Sequence, residues 1–511
     1  MKNKKFRKTL AIVIASAAAA VTVVAVPAAS KYMSAQADTE TTTTSGQTMS
    51  GSQEKGQQPP QNSDGSTTPP EKPSGDDSNG GPGGNGGTPP EKPSGDSSNG
   101  QQPGGNGGPG GQSSSNVTYS AATTIKKSTT TNKKTYSSKK ASQNALMVTG
   151  SKVKATVKNA KITKSGSSNS GGDSDNFYGT NSAVLAKDGA TLNIKNAAIK
   201  TTADGANGTF SYGGNGGQNG ASGDGTTINI SNSRITTTGN NAGGIMTTGG
   251  GTTYATNLTI KTSGTSSAAI RSDRGGGTVN VNKGTYTTTG TGSPAIYCTS
   301  NTTVKNAKLV SKASEGIVIE GKNTVTLKNT NLTANNTKLN GQATTYQAVM
   351  LYQSMSGDSA EGTAEFSATG GSITNKNGSV FYVTNTTANI DLNNVKITNE
   401  DNDNVLLNVA AGAWGNSGSN GGKVTFTTKK QKLSGDITVD DSSSLTLKLT
   451  KKSAYSGSIN SSGQAGTVKV SVYKGSTWKL TGDSYVTSLS GNGTIDTNGH
   501  KLYVNGTLYQ G

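Results

Sequence analysis

The chain has very little of the residue types on which most enzyme active sites and most large cores depend. Its 511 residues include one cysteine, one histidine, two tryptophans and six phenylalanines. The single cysteine, Cys298, excludes an intramolecular disulfide, and the single histidine, His500, leaves no Ser/His/Asp triad and no zinc site. Because large aromatic side chains are scarce, a core in this chain must consist of small aliphatic residues stacked on one another.

Proline is almost absent outside one stretch of the chain. Eleven of the 13 prolines lie between Pro59 and Pro109, and only Pro294 follows them. Residues 38–116 form an acidic, Pro/Gly/Ser-rich segment, and this composition predicts a disordered linker. The linker either presents the rest of the chain beyond a surface or is a passive spacer.

Residues 1–37 have the pattern of an export signal. Five basic residues precede an apolar run from Leu10 to Val26. The small residues Ala35 and Ala37 predict cleavage after Ala37, and an uncleaved N-terminal anchor is the alternative because the run approaches the length of a membrane span. The protein is therefore expected to be secreted or held at the cell surface, with contact to a membrane only through this segment.

What the sequence has instead is a repeat of the form Φ-x-Asn-x-x-Φ, where Φ is apolar. Where nothing is inserted, successive Asn positions are 23 to 26 residues apart, and a fixed period of this size predicts a solenoid. Asn tolerates the left-handed backbone, and its amide can hydrogen-bond the equivalent amide of the next coil, so a ladder is expected. The predicted ladder consists of Asn159, Asn196, Asn232, Asn257, Asn306, Asn329 and Asn394, with Lys283 and Gly370 in the same position.

The segments beside the Asn position are short and rich in Thr, Val and Ile, which is typical of β-strands. We therefore predict an all-β protein, a right-handed parallel β-helix solenoid of about a dozen coils over residues 117–432. Ile270, Ile296 and Ile317 are expected to stack in its core, and alternation turns Cys298 inward as well. Residues 433–511 lose the Asn position and are expected to form further coils or a small β cap.

The folded part is strongly basic, and its lysines are unevenly placed. From Lys126 to Lys164 there are 11 lysines and no acidic residue. One interpretation is attraction to a polyanion such as wall teichoic acid, a uronate polymer or a sulphated glycan. The other is protection of the open solenoid end against strand-to-strand aggregation. Nucleic acid is not expected, because the protein is exported and has no recognised nucleic-acid-binding motif.

The Asn position, the coil length and the Gly-rich turns resemble the right-handed parallel β-helix of the pectin-lyase-like superfamily, over about residues 150–430. More narrowly, the chain resembles secreted β-helix proteins of Gram-positive bacteria, some described as carbohydrate-binding or adhesive. The resemblance implies a polysaccharide or anionic cell-wall polymer as partner. The Asp cluster with Gly-His-Gly and Arg-x-Lys motifs of polygalacturonase-like members is absent, so a non-catalytic binder or adhesin is expected. A lyase or hydrolase with an unfamiliar site, or a structural wall or biofilm protein, are the alternatives.

The insertions predict where a ligand binds, because loops on one face of a repeat protein usually mark its binding face. Long loops border the same strand of successive coils, at residues 165–181, 212–226, 335–347, 354–362 and 411–422. Outward side chains of that strand are expected to line a trough, with arginines for a carboxylate or sulphate and aromatic faces for sugar rings. The candidate ligand-binding residues are Arg271, Asp273, Arg274, Tyr297, Met350, Tyr352, Tyr178 and Trp414. Alternatively, these residues cover the sheet beneath the loops.

Two loops contain the sequence Asp-x-Asp-Asn, at Asp173 and Asp175 and at Asp401 and Asp403. Oxygen ligands at alternate positions suit Ca²⁺. Calcium is therefore the candidate metal, solvated polar turns are the alternative interpretation, and no other cofactor and no catalytic residue is expected.

Overall fold

The computed structural model describes residues 117–168, 173–215, 222–341, 343–463 and 466–510. The predicted export signal and the predicted linker lie outside these residues. The described elements are one helix and 39 short strands. In chain order they are β1 (Thr124–Ile125), β2 (Thr129–Asn132), β3 (Thr135–Ser138), β4 (Leu146–Thr149), β5 (Lys154–Lys158), β6 (Lys161–Lys164), α1 (Asp173–Tyr178), β7 (Val184–Lys187), β8 (Thr191–Lys195), β9 (Ala198–Thr201), β10 (Thr209–Tyr212), β11 (Thr227–Ser231), β12 (Arg234–Thr237), β13 (Ile245–Thr248), β14 (Gly251–Thr262), β15 (Ile270–Ser272), β16 (Gly277–Thr288), β17 (Ile296–Cys298), β18 (Asn301–Lys305), β19 (Lys308–Ser311), β20 (Ile317–Glu320), β21 (Thr324–Ala334), β22 (Gln347–Tyr352), β23 (Thr363–Asn375), β24 (Ser379–Thr384), β25 (Thr387–Asn393), β26 (Lys396–Asn399), β27 (Val405–Val409), β28 (Lys423–Lys429), β29 (Lys432–Ser434), β30 (Asp436–Val439), β31 (Ser444–Thr450), β32 (Ala454–Ser456), β33 (Thr467–Val472), β34 (Thr477–Lys479), β35 (Ser484–Val486), β36 (Ser488–Ser490), β37 (Thr494–Asp496), β38 (Leu502–Val504) and β39 (Thr507–Leu508).

Successive coils stack as parallel strands in two long sheets. The first sheet has twelve strands, one from each coil, in the order β1-β4-β7-β10-β13-β15-β17-β20-β22-β24-β27-β30. The second sheet has 20 strands. A coil contributes to it either two short strands, one before and one after the Asn turn, or one long strand that runs through this turn. This stacking confirms the predicted all-β fold and parallel β-helix.

The core lies between the two sheets and is made of stacked small apolar side chains. Ile270 pairs with Ile296, and Ile296 pairs with Ile317, so the three isoleucines lie in register on consecutive coils. All three are buried in the main core, as is Cys298, which pairs with Ile319. Burial raises the pKa of the Cys298 thiol, which keeps it in the unreactive protonated form.

The Asn position forms a left-handed turn in every coil where it occurs. The seven Asn residues named above have φ between 47° and 58°, and Lys283 and Gly370 have φ of 65° and 62°. Side-chain bonds join Asn196 Nδ2 to Asn159 Oδ1 at 3.3 Å and Asn257 Nδ2 to Asn232 Oδ1 at 2.8 Å. Asn306 instead donates to Asn282, one residue before the turn position. The amide contacts are thus separate short runs, and Lys283 and Gly370 interrupt the Asn position in two coils.

The segment after Leu433 continues the stacking and then ends it. Strand β30 joins the first sheet, and β31, β33 and β36 join the second. Strands β29, β32, β34 and β37 form a four-stranded sheet, and the chain ends in a three-stranded sheet whose last pair, β38 and β39, is antiparallel. Among the described residues, no helix is long and apolar enough to cross a membrane.

Candidate functional site

The residues expected to line an open trough are buried. Arg271 and Tyr297 are each 1% exposed, Met350 and Tyr352 are 0% exposed, and Trp414 is 5% exposed. The predicted direction of these side chains is correct, because they lie on the outer face of the first sheet and not in the main core. The prediction that this face is open to solvent is wrong.

The face is covered because the inserted loops fold across it. Trp414 packs edge-on against Tyr352, with 5.1 Å between ring centroids. Its loop is held by Asn420, whose side-chain amide donates to the carbonyl oxygens of Gly412 and Trp414. Tyr178, on α1, belongs to a separate apolar cluster nearer the N-terminus and contacts Tyr212 at 5.4 Å. The loops therefore act as covers for the sheet.

Beneath the covers lies a cluster of charged side chains, which we call the buried charge cluster: Arg271, Asp273, Arg274, Glu320 and Asp358. Arg271 Nη2 lies 2.9 Å from Asp273 Oδ2. Arg274 donates to Asp358 Oδ1 from Nε at 2.9 Å and from Nη2 at 2.6 Å. Arg271 therefore pairs with Asp273 and Arg274 with Asp358, and Glu320 completes the cluster. No periodic signal marks Asp358, since it lies in an inserted loop.

Glu320 is held by hydroxyl groups. Tyr352 Oη donates to Glu320 Oε2 at 3.0 Å, and Tyr297 and Ser354 also donate to this carboxyl group. Within the described part of the chain Glu320 forms no salt bridge. The cluster therefore contains three carboxyl groups and two guanidinium groups, one negative charge in excess when all are ionised.

Burial sets the protonation of these groups. Loss of hydration raises the pKa of Asp273 to about 7, although Arg271 beside it acts in the opposite direction. Burial likewise raises the pKa of Glu320 above its usual range, against the hydrogen bonds from Ser354 and Tyr297. A solvent-excluded cluster of this kind holds loops in place, and its five residues are between 0% and 8% exposed, which is too little for contact with a substrate.

Neither Asp-x-Asp-Asn loop brings three metal-binding side chains together. Asp401 accepts backbone hydrogen bonds from Asp403 at 3.0 Å and from Gly378 at 2.8 Å, so both of its oxygens hold the turn. Asp175 is buried and accepts from Thr180 at 2.6 Å, and the side chain of Asp173 lies outside the described part. Among the described residues no group of three or more His, Cys, Asp or Glu could hold a metal. Calcium binding at these loops stays a prediction.

One of the 11 N-terminal lysines does not belong to the charged surface. Lys164 is 1% exposed, and its Nζ donates to the carbonyl oxygens of Lys140 and Gly166. Burial lowers its pKa to about 8. The other ten lysines from Lys126 to Lys161 are exposed.

An open groove of about 740 Å³ lies at the turns that lead from the first sheet to the second. We call it the turn groove. It is lined by Ser222, Gly223, Gly250, Gly275, Gly276, Gly277, Thr278, Thr299, Ser300, Asn301, Lys322, Asn323, Thr324, Ala360, Thr363 and Glu365. These residues come from six consecutive coils, so the groove runs along the solenoid for about 24 Å at about 4.8 Å per coil.

The floor of the turn groove is bare backbone because its turns contain glycine. Gly275 has φ of 79°, and a Cβ atom there would lie 2.5 Å from the carbonyl oxygen of Asn215. Gly277 has φ of 142°, and a Cβ atom there would lie 2.4 Å from the carbonyl oxygen of Gly251. Coil stacking therefore requires glycine at both positions. The signal for this floor in the sequence is the run Gly275-Gly276-Gly277.

The polar groups of the turn groove are few and mixed in charge. Asn301 and Lys322 are exposed, and Glu365 is half-buried. Thr278 pairs with Asn301, and Thr324 pairs with both Asn301 and Glu365, so their hydroxyl groups line the same groove. The site thus offers amide, hydroxyl, ammonium and carboxylate groups over a flat floor. Such a surface can hydrogen-bond many hydroxyl groups, and no pair of carboxyl groups in it is arranged for catalysis.

Comparison with known proteins finds no matching family model, no matching curated protein and no matching solved structure. The assignment of a parallel β-helix therefore rests on the strand pairing of this chain itself.

Proposed function

We propose that this chain is an exported, non-catalytic β-helix that binds a polysaccharide at the surface of a Gram-positive-like bacterium, as a carbohydrate-binding or adhesin-like protein. The observation that carries the proposal is the turn groove: it is open, polar and about 740 Å³ in volume. Ligand sites in proteins have volumes of this order.

The length of the turn groove favours a chain of sugars over a single small molecule. Six stacked coils repeat similar backbone and hydroxyl groups along its floor, and a polysaccharide repeats its hydroxyl groups in the same way along its own axis. Lys322 and Asn301 contribute donors from adjacent coils, and Glu365 contributes an acceptor. A linear glycan lying along the solenoid would therefore meet hydrogen-bonding groups at each coil.

The N-terminal sequence supports the place of action. Residues 1–37 have the pattern of an export signal, and the Pro/Gly-rich linker would carry the β-helix away from a membrane or wall. The pectin-lyase-like resemblance supports the same class of ligand, although the enzymes' motifs are absent.

A glycan array probed with the purified protein tests the proposal. We expect binding to one class of polysaccharide, weakened by Lys322→Ala and by Asn301→Ala without a change in the thermal midpoint, because both side chains are exposed. Lys312→Ala is the matched control, since Lys312 is also exposed and does not line the turn groove. Ligand binding that neither groove substitution affects would contradict the proposed site. New reducing ends or unsaturated products from the bound glycan would contradict a non-catalytic role.

A further inference from the structure

Basic side chains lie in register along the turns that carry the predicted Asn ladder. The residue immediately before each turn forms a column that pairs from coil to coil without interruption, from Asn132 to Thr450. The lysines in this column are Lys158, Lys195, Lys305, Lys328 and Lys429, and all five are exposed.

Two further columns lie beside the first. The residue two positions after the turn pairs from Thr135 to Lys396. The exposed basic residues of this column are Lys161, Arg234, Lys308 and Lys396. The turn position itself, between the two columns, holds lysine at Lys133, Lys283 and Lys430, with φ of 54°, 65° and 49°. We call these three columns the basic ridge.

The basic ridge carries charge of one sign only. Among the described residues, none of its three columns contains Asp or Glu. The neighbouring outer face of the same sheet is different, because it mixes Glu365 and Asp391 with Lys448 and Lys469 in paired columns. If these lysines served solubility alone, acidic residues would be expected on the basic ridge as well as on the neighbouring face.

The geometry of the basic ridge matches a linear partner. Its first column has twelve registered positions, and eleven steps of about 4.8 Å give a length of about 50 Å. Arg234 is the only arginine on the ridge. Lysine ammonium groups act as mobile point charges, whereas planar bidentate recognition of a carboxylate or phosphate uses arginine. The basic ridge is therefore suited to binding a partner with closely spaced negative charges along a line, and not to holding a single anionic group in one fixed position.

We propose that the basic ridge binds a linear polyanion, phosphate- or carboxylate-bearing, lengthwise along the solenoid. The inference deepens the proposed function, on which it rests, by placing an anionic polymer on a surface distinct from the turn groove. The basic ridge also extends far beyond the segment from Lys126 to Lys164, for which the sequence alone predicted attraction to a polyanion.

The test measures binding of long-chain sodium polyphosphate, of polygalacturonate and of tripolyphosphate to the immobilised full chain. We expect the two polymers to bind at least about tenfold more tightly than tripolyphosphate, and to be released as the sodium chloride concentration rises. Similar affinity for both polymers would support recognition of charge density, and a preference for one would identify the anionic group.

The decisive variant carries Lys305→Glu, Lys308→Glu and Lys328→Glu, which reverse three ridge charges on adjacent coils. The matched control carries Lys423→Glu, Lys448→Glu and Lys469→Glu, which change the net charge equally on the mixed-charge face. The ridge variant is expected to bind polymer at least about tenfold more weakly and the control within about twofold. Thermal midpoints of both variants check that the fold is retained.

Equal losses in the two variants, no loss in the ridge variant, or polymer binding no tighter than that of tripolyphosphate would overturn the ridge proposal. Tighter binding of single-stranded DNA than of either polymer would overturn the assignment to this class of partner. Binding of a neutral glycan by the ridge variant would leave the proposed function standing, because that activity belongs to the turn groove. If the protein bound polyphosphate tightly and bound no glycan, the ridge proposal would stand and the proposed function would fail.

Discussion

The buried charge cluster makes stability depend on pH in a defined direction. Burial raises the pKa of Glu320 above its usual range, so the folded protein holds this proton more tightly than the unfolded chain does. The resulting stabilisation is fully present below the pKa of an unfolded glutamate and is lost as the pH rises through the folded value. Asp273, with a pKa of about 7, acts in the same direction. We therefore expect the protein to become less stable from acidic to neutral pH.

The substitution Glu320→Gln isolates one of these two protons. Gln keeps the size of the protonated carboxyl group and can still hydrogen-bond Tyr297, Tyr352 and Ser354, so at acidic pH the loss should not exceed about 1 kcal/mol. Each retained proton contributes about 1.4 kcal/mol for every pH unit between the unfolded and folded pKa values. The variant should therefore lose up to that slope over the pH range in which Glu320 of the parent protein gives up its proton, so its stability relative to the parent should rise with pH.

Urea unfolding at a series of pH values between about 5 and about 7.5 measures this effect. Tryptophan fluorescence is a suitable signal, because Trp414 packs on Tyr352, which donates to Glu320. Glu365→Gln is the matched control, since it makes the same chemical change in the turn groove. A pH dependence of Glu320→Gln identical to that of the parent protein would refute the assignment of a retained proton to Glu320.

Three further substitutions test the packing and the turns. Asp273→Asn should lower the free energy of unfolding by about 3–5 kcal/mol in urea at a pH above the Asp273 pKa of about 7, because Arg271 then keeps its buried charge without its carboxylate partner; an unchanged midpoint at that pH would count against a buried ion pair. Tyr297→Ala should cost about 3–5 kcal/mol and lower the thermal midpoint, whereas Tyr297→Phe should cost only about 1–2 kcal/mol by removing the hydroxyl bond to Glu320; equal midpoints for alanine and parent would mean that the loops do not cover this face. Asn306→Leu should cost about 1–2 kcal/mol in a thermal melt because Leu disfavours φ of 54°, and Asn306→Gly should cost less; equal costs would show that the amide bond to Asn282, which both variants lose, matters more than the backbone conformation.

The repeating part of this fold was predictable from the sequence because each of its signals is local and recurs. A left-handed Asn turn every 23 to 26 residues, with alternating apolar residues on both sides, permits parallel stacking and little else. The same alternation correctly turned Ile296 inward and Tyr297 outward. Register followed from the period, as the pairing of Ile270, Ile296 and Ile317 shows.

Whether the outward face of the first sheet is open to solvent or covered was not predictable, because the loops that cover it do not repeat. An insertion can stand beside a strand as a wall or fold across it as a cover, and length and composition are similar in the two cases. Contacts between residues far apart in sequence decided the outcome here: Arg274 reaches Asp358, 84 residues away, and Trp414 packs on Tyr352. These contacts turned predicted ligand-binding residues into buried ones.

The basic ridge and the turn groove show the same division. The sequence alone determined that the chain is basic, rich in glycine and built of coils of 23 to 26 residues where nothing is inserted, and its repeat places Lys158, Lys195, Lys305 and Lys328 at one position, immediately before the Asn. Only the tertiary structure decided that Gly275 and Lys322 line one groove. The physical reason is that a solenoid converts separation along the chain into proximity one coil at a time, and insertions of different length decide which residues meet.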